Sequence, residues 1–380
     1  MPSLLLSALL SLGAAQSPAE VETSYWVYVA SESEDLVSLV RFDAASGELT
    51  VEQEITVGYM PPEIEGPHGL TVDPTGDYWY LSLAHGTPNG WLYKYSTDTN
   101  EPVARCELGL FPATMQISEA TGLLYCVNFD LHGDMSPSSV SVVDPEEMVE
   151  VDRITTGPMP HGSRITSDGL KHYSCSMMSD TLYEIDAARL EVSRRLFLTT
   201  EDGQEVPKDA GMPMAGMSGG SGEMKMRKAV AKPTWAHPHP TRDLVYVALN
   251  GAAQVVEVDT AAWRISRRFP TDKGPYNVEV TPDGSRLVVT YKSAQGIGVF
   301  DVAAGREVAR LRASKRVTHG VATSPDSRYA FVSNESIGGD PGTLDVVDLE
   351  RAEVVASTPI GLQAGGITFW KMEASQTATR

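Results

Sequence analysis

Short β-rich runs with two-residue alternation recur along the whole chain, and each cycle contains one that ends on aspartate. Leu39-Val40-Arg41-Phe42-Asp43, Val140-Ser141-Val142-Val143-Asp144, Leu182-Tyr183-Glu184-Ile185-Asp186 and Val255-Val256-Glu257-Val258-Asp259 are four copies. Gly298-Val299-Phe300-Asp301 and Leu344-Asp345-Val346-Val347-Asp348 are two more, and Leu92-Tyr93-Lys94-Tyr95-Ser96 is a seventh with serine in place of aspartate. This period marks strands with one buried face. Turns such as Asp73-Pro74-Thr75-Gly76, Pro282-Asp283-Gly284 and Ser324-Pro325-Asp326 lie upstream, where proline and glycine favour tight reversals. Between turn and aspartate strand comes another run, for example Tyr78-Trp79-Tyr80-Leu81-Ser82 or Leu244-Val245-Tyr246-Val247-Ala248. A polar outer strand follows, such as Glu307-Val308-Ala309-Arg310-Leu311.

Four strands in roughly 45 residues is the length of one propeller blade. Seven such units predict an all-β fold, a seven-bladed β-propeller of four-stranded blades over residues 24–372. The first unit opens directly on Tyr25-Trp26-Val27-Tyr28-Val29, with no inner strand before it. Gly365-Gly366-Ile367-Thr368-Phe369-Trp370 supplies the missing strand at the other end of the chain. The C-terminal strand is therefore expected to close the first blade, leaving 373–380 as a tail. One stretch breaks the pattern: 201–232, rich in Met and Gly and without a strand signal, reads as an insertion between blades four and five.

The chain has 380 residues and a net charge of −20, which argues against nucleic acid and anionic membranes as partners. Residues 1–15 hold the apolar run Leu4-Leu5-Leu6-Ser7-Ala8-Leu9-Leu10 followed by small residues. This reads as a signal peptide, too short to span a bilayer, and predicts a periplasmic or secreted protein with no membrane span. Three cysteines do not make a disulfide framework and are read as buried free thiols.

The candidate chemistry sits at the starts of the inner strands. Pro67-His68-Gly69, Pro160-His161-Gly162 and Thr318-His319-Gly320 share one slot of the repeat, and Pro275-Tyr276-Asn277 fills it in blade six. The ends of the second strands return to the same face and carry His85, His132, Lys292 and Glu335, among others. The glycine after each histidine is expected to let the backbone turn sharply or approach a ligand. His68, His85, His132, His161 and His319 thus converge on one channel mouth, whereas His172, His237 and His239 read as structural. The insertion emerges on that face too, with Met212, Met214 and Met217 as soft thioether donors. Imidazole and thioether together suit copper, ahead of zinc or calcium. Tyr276 and Lys292 are the candidate catalytic residues, placed to bind or steer a small molecule or anion.

Tyr246-Val247-Ala248-Leu249-Asn250 and Phe331-Val332-Ser333-Asn334 resemble the signature of the YVTN-type propellers. The histidine layout resembles the copper propellers of the nitrous oxide reductase and thiocyanate dehydrogenase type, in which histidines from several blades gather a copper centre. That resemblance implies an oxidoreductase acting on a small molecule or anion. Three other readings stay open: copper storage or delivery to a partner protein, a lactonase-like hydrolase using Glu63, Glu65, Asn128, Asp130, Asn250, Asn334 and Glu335 around a divalent cation, and a protein-binding scaffold. The chain has no haem-attachment motif, P-loop or dinucleotide fingerprint, which leaves those chemistries unsupported.

Overall fold

The computed structural model describes residues 22–59, 63–86, 89–131, 133–207 and 228–375. The leader at 1–15, His132, Met212, Met214 and Met217 lie outside the described residues. Seven antiparallel sheets make seven blades, and among the described residues there is no helix. Each blade runs from an inner strand to an outer one in sequence order, except the first. There Ala364–Ser375 is the inner strand, paired antiparallel to Glu22–Ser31, with Leu36–Asp43 and Leu49–Thr56 outside it. This final strand continues past Met372 into the segment expected as a tail, where Ser375 pairs with Glu22.

Five of the inner strands, beginning at Pro67, Pro112, Pro160, Pro233 and Pro275, open on proline. An innermost strand has a partner on one side only, so a residue without an N–H is tolerated at its start. The aspartate that closes the third strand also has a physical role. Asp144, Asp186, Asp259 and Asp348 each accept backbone N–H bonds from residues two and three positions on, shaping the turn to the outer strand. Ser96 does the same in blade two by accepting from the Asp98 N–H at 3.2 Å. The insertion is not wholly irregular: Gln204–Glu205 pairs with Leu196 and Phe197 as a short fifth strand of blade four.

The core lies between the faces of adjacent blades. Between blades one and two, Tyr28 stacks on Trp79 at 5.0 Å and Trp79 on Tyr95 at 4.0 Å. Across the seam where the ring closes, Tyr25, Val27 and Phe42 pack against Phe331 and Val346. Ring closure thus seals apolar surface as well as a strand edge. Cys126 and Cys175 are buried, Cys106 is partly so, and all three are free thiols.

Candidate functional site

Every His-Gly triplet sits on a bulge. In blade two the ladder pairs Pro67 with Leu83 and resumes at Leu70 with Leu81, so His68 and Gly69 together oppose Ser82. The same break follows Pro160 and Thr318, and Pro275 in the tyrosine blade. An extra residue leaves ladder groups unpaired and redirects a side chain. A hydroxyl on the second strand repairs the break. Ser82 Oγ accepts from the Gly69 N–H at 2.8 Å and donates to the carbonyl of Ala113 in the next blade at 3.0 Å. Thr290 links Asn277 to His319 in this way, and Ser333 links Gly320 to Gly365.

The glycines serve this inter-blade contact. A Cβ on Gly69 would lie 1.9 Å from the Ala113 carbonyl oxygen, and on Gly320 2.5 Å from that of Gly365. On Gly162 it would meet the Trp235 ring at 2.2 Å. The neighbouring blade is what these positions must admit.

The bulges bring His68, His161 and His319 into a triangle, with ring centroids 5.6, 6.1 and 6.3 Å apart. All three are buried. His68 Nε2 and His161 Nε2 face each other at 3.5 Å. Behind His68, its Nδ1–H donates to Glu32 Oε2 at 2.9 Å. The other Glu32 oxygen lies 2.9 Å from His85 Nε2. Burial disfavours the Glu32 carboxylate, but the charges and hydrogen bonds of His68 and His85 outweigh it and hold its carboxyl far below the usual range. The Glu32 hydrogen bond holds the His85 imidazolium in turn, raising that pKa against burial. His85 is partly exposed and its Nδ1 lies 3.3 Å from the Ile64 carbonyl. It therefore supports Glu32 and does not join the triangle.

A second carboxylate anchors the other side. Glu335 Oε1 accepts from Lys292 Nζ at 3.1 Å and lies 3.4 Å from His319 Nε2. Lys292 Nζ stands 4.3 Å from the centre of the Tyr276 ring, and Tyr276 Oη is 2.9 Å from His161 Nε2. Burial pushes the tyrosine up to about 12, so its hydroxyl stays protonated at neutral pH. Burial, reinforced by the neighbouring basic side chains, drives His161 and His319 well below the ordinary histidine range and keeps both neutral. The Nδ1 atoms of both are buried without a partner.

His68, His161, His319, Tyr276 and Lys292 therefore share one cluster. Among the described residues no group of three His, Cys, Asp or Glu side chains forms a ready metal-ligand set, and His319 Nε2 faces Glu335 Oε1 at 3.4 Å. The His68–His161 pair does have suitable spacing: two nitrogens each about 2.0–2.1 Å from a tetrahedral ion stand about 3.4 Å apart. The oxygen set of the hydrolase reading is dispersed. Asn128 is spent on Gly109, Ser139 and Ser141, Asn334 donates to Asp345, and Asn250 donates to the Pro275 carbonyl. Of that set, Glu335 enters the histidine cluster.

Glu32 is the site residue missed in the sequence. Its signal is positional: it directly follows the second strand of blade one, Glu22–Ser31, near where His85 follows that of blade two and Glu335 ends that of blade seven. The three histidines set aside lie elsewhere. His239 Nδ1 accepts the Thr241 and Arg242 N–H groups of a turn. His172 is fully buried with both nitrogens unpartnered, and His237 Nδ1 lies 3.0 Å from the Pro238 carbonyl.

No family model matches the sequence, and no curated protein is similar to it at a significant level. Solved structures do match. Kuenenia stuttgartiensis hydrazine synthase superposes with a TM-score of 0.62 at 17% identity, covering 84% of this chain and 99% of the other. A functionally unknown protein from Desulfotomaculum acetoxidans gives 0.64 at 15% identity, covering 91% and 98%. At such identities the likeness establishes the shared propeller fold.

Proposed function

We propose that this propeller is an exported copper protein that holds the metal between His68 Nε2 and His161 Nε2 and acts as an oxidoreductase on a small anion. The observation that carries the reading is the 3.5 Å spacing of those nitrogens with Glu32 behind His68. A carboxylate on the second ring nitrogen fixes the tautomer of a metal-binding imidazole and raises its basicity. His161 is neutral, the state a metal ligand requires, and copper at its Nε2 would take the place of the Tyr276 hydroxyl that now lies 2.9 Å from it. An all-imidazole donor set fits copper and zinc alike. The methionines of the insertion and the apolar leader favour copper handled outside the cytoplasm, as does the resemblance to the copper propellers.

Copper would supply one-electron chemistry at this mouth. The chain's own residues bind and orient. Lys292 keeps its charge beside Tyr276 and Glu335 although burial opposes it, and so presents a cation to an anionic substrate. Tyr276 offers a protonated hydroxyl at the same place, and Phe111 and Phe129 wall the cluster at 5.3 Å from His68 and 4.7 Å from His161. One structural neighbour is a hydrazine synthase, so this fold serves at least one enzyme.

The test is copper reconstitution followed by metal analysis. The wild-type chain should hold at least one copper, and the His68→Ala, His161→Ala double variant should lose it while staying folded by circular dichroism. Full copper loading in a folded double variant would overturn the assignment.

A further inference from the structure

At the mouth opposite the histidines the channel widens into a cavity of about 640 Å³. We infer that this mouth is a second binding site, for a small organic carboxylate with an apolar tail, and that Arg164 takes the carboxylate.

Arg164 stands at the constriction of the channel. It lines both the wide cavity and the small one of about 20 Å³ beneath the histidines. Its guanidinium lies over the Trp235 ring at 5.1 Å, which sets its plane. Of its five donors, one has a hydrogen-bond acceptor among the described residues: Nη1 donates to the Ser163 carbonyl at 2.9 Å. Glu279, the nearest counter-charge, is 3.8 Å from Nη2, beyond hydrogen-bond distance. One Glu279 oxygen, Oε1, is committed elsewhere, accepting from the N–H and hydroxyl of Thr323 at 2.9 and 3.0 Å, and Oε2 is the one that faces Arg164. Burial also raises the Glu279 pKa, which weakens it as a permanent counter-ion.

A planar fork of this kind matches a carboxylate bidentately. Gln116 adds a donor, since its Oε1 accepts from the Ile165 N–H at 2.8 Å and leaves its amide NH₂ uncommitted. His237, on the same wall, is pushed down to about 3 by burial and by the Arg164 charge, and so adds no competing cation. The rest of the wall is mixed: Ile117, Ile165, Val280, Ala322 and Phe369 offer apolar contact for a hydrocarbon tail, beside polar Thr71, Glu119, Thr166 and Ser167. The charged end would sit at the constriction and the tail toward the opening.

Calorimetric titration of the full chain with benzoate, acetate and sulfate tests this, and it does not depend on metal at the far mouth. Benzoate should bind saturably, and acetate and sulfate at least tenfold more weakly. Arg164→Gln should weaken benzoate at least tenfold. Glu279→Gln, which removes the competing carboxylate, should tighten it, so the two variants move in opposite directions. Absence of saturable benzoate binding to the wild type would overturn the site. So would unchanged affinity in a folded Arg164→Gln chain, or weakened binding in Glu279→Gln. Sulfate binding as tightly as benzoate would overturn the carboxylate assignment.

Discussion

Glu32 and His68, on neighbouring blades, form a buried 2.9 Å hydrogen bond that leaves His68 Nε2 directed at His161. Removing such a support typically costs 10–100-fold in metal affinity. Glu32→Gln should therefore weaken copper about 10–100-fold in a competitive chelator titration. His85→Ala removes only the second partner of Glu32 and should cost less. Equal affinity in wild type and Glu32→Gln would show that the carboxylate does not position the ligand.

The glycine of the triplet should be intolerant of even one carbon. Gly69→Ala places a Cβ 1.9 Å from a backbone oxygen of the next blade, which can yield only if the blades part. Overpacking of this kind costs about 1–3 kcal/mol or more. Gly339→Ala meets nothing within 4 Å and should change stability by less than about 0.5 kcal/mol. Chemical denaturation of the two variants checks the contrast.

Asn100 ties three elements together. Its Oδ1 accepts from the Tyr28 hydroxyl at 2.9 Å and from Trp79 Nε1–H at 3.0 Å, and its Nδ2 donates to Gln53 at 2.7 Å. Asn100→Ala would strand two buried donors, each worth about 1–3 kcal/mol. It would also place alanine at a φ of 56°, a region asparagine tolerates better. A clear loss of melting temperature is expected, larger than for Gly339→Ala.

His172 should make the fold acid-sensitive. Burial, aided by the Arg164 charge, pushes it down to about 3 from an ordinary 6.5. The unfolded chain protonates this imidazole near the ordinary value while the folded chain does not, so unfolding takes up a proton between those limits. Stability contributed by keeping it neutral is full above about 6.5 and falls as pH drops toward 3. His172→Leu should therefore lose less melting temperature than wild type between pH 7 and pH 5. An equal loss in both chains would place the acid sensitivity elsewhere.

The seven blades were readable because each strand must bury one face and each turn must reverse the chain, and both demands act on neighbouring residues. Leu344 to Asp348 and Leu182 to Asp186 carry the same pattern for the same local reason. The closing strand was readable from a missing one, since Tyr25 begins a unit without an inner strand. Shared repeat slots also placed His68, His161 and His319 at one mouth. The same slot logic applied to the first blade reaches Glu32, which carries no histidine and no motif to mark it.

What the sequence determined by itself was therefore the propeller, its closure and the face on which the histidines lie, because two-residue alternation and the blade repeat specify faces and ends. Only the tertiary structure decided what each nitrogen meets. Glu32 stands behind His68, His85 turns to Glu32, and His319 turns to Glu335. The glycines answer to Ala113, Trp235 and Gly365 in adjoining blades. These are contacts between residues of different blades, set by how the blades pack around a common axis, and no local run of residues encodes that packing.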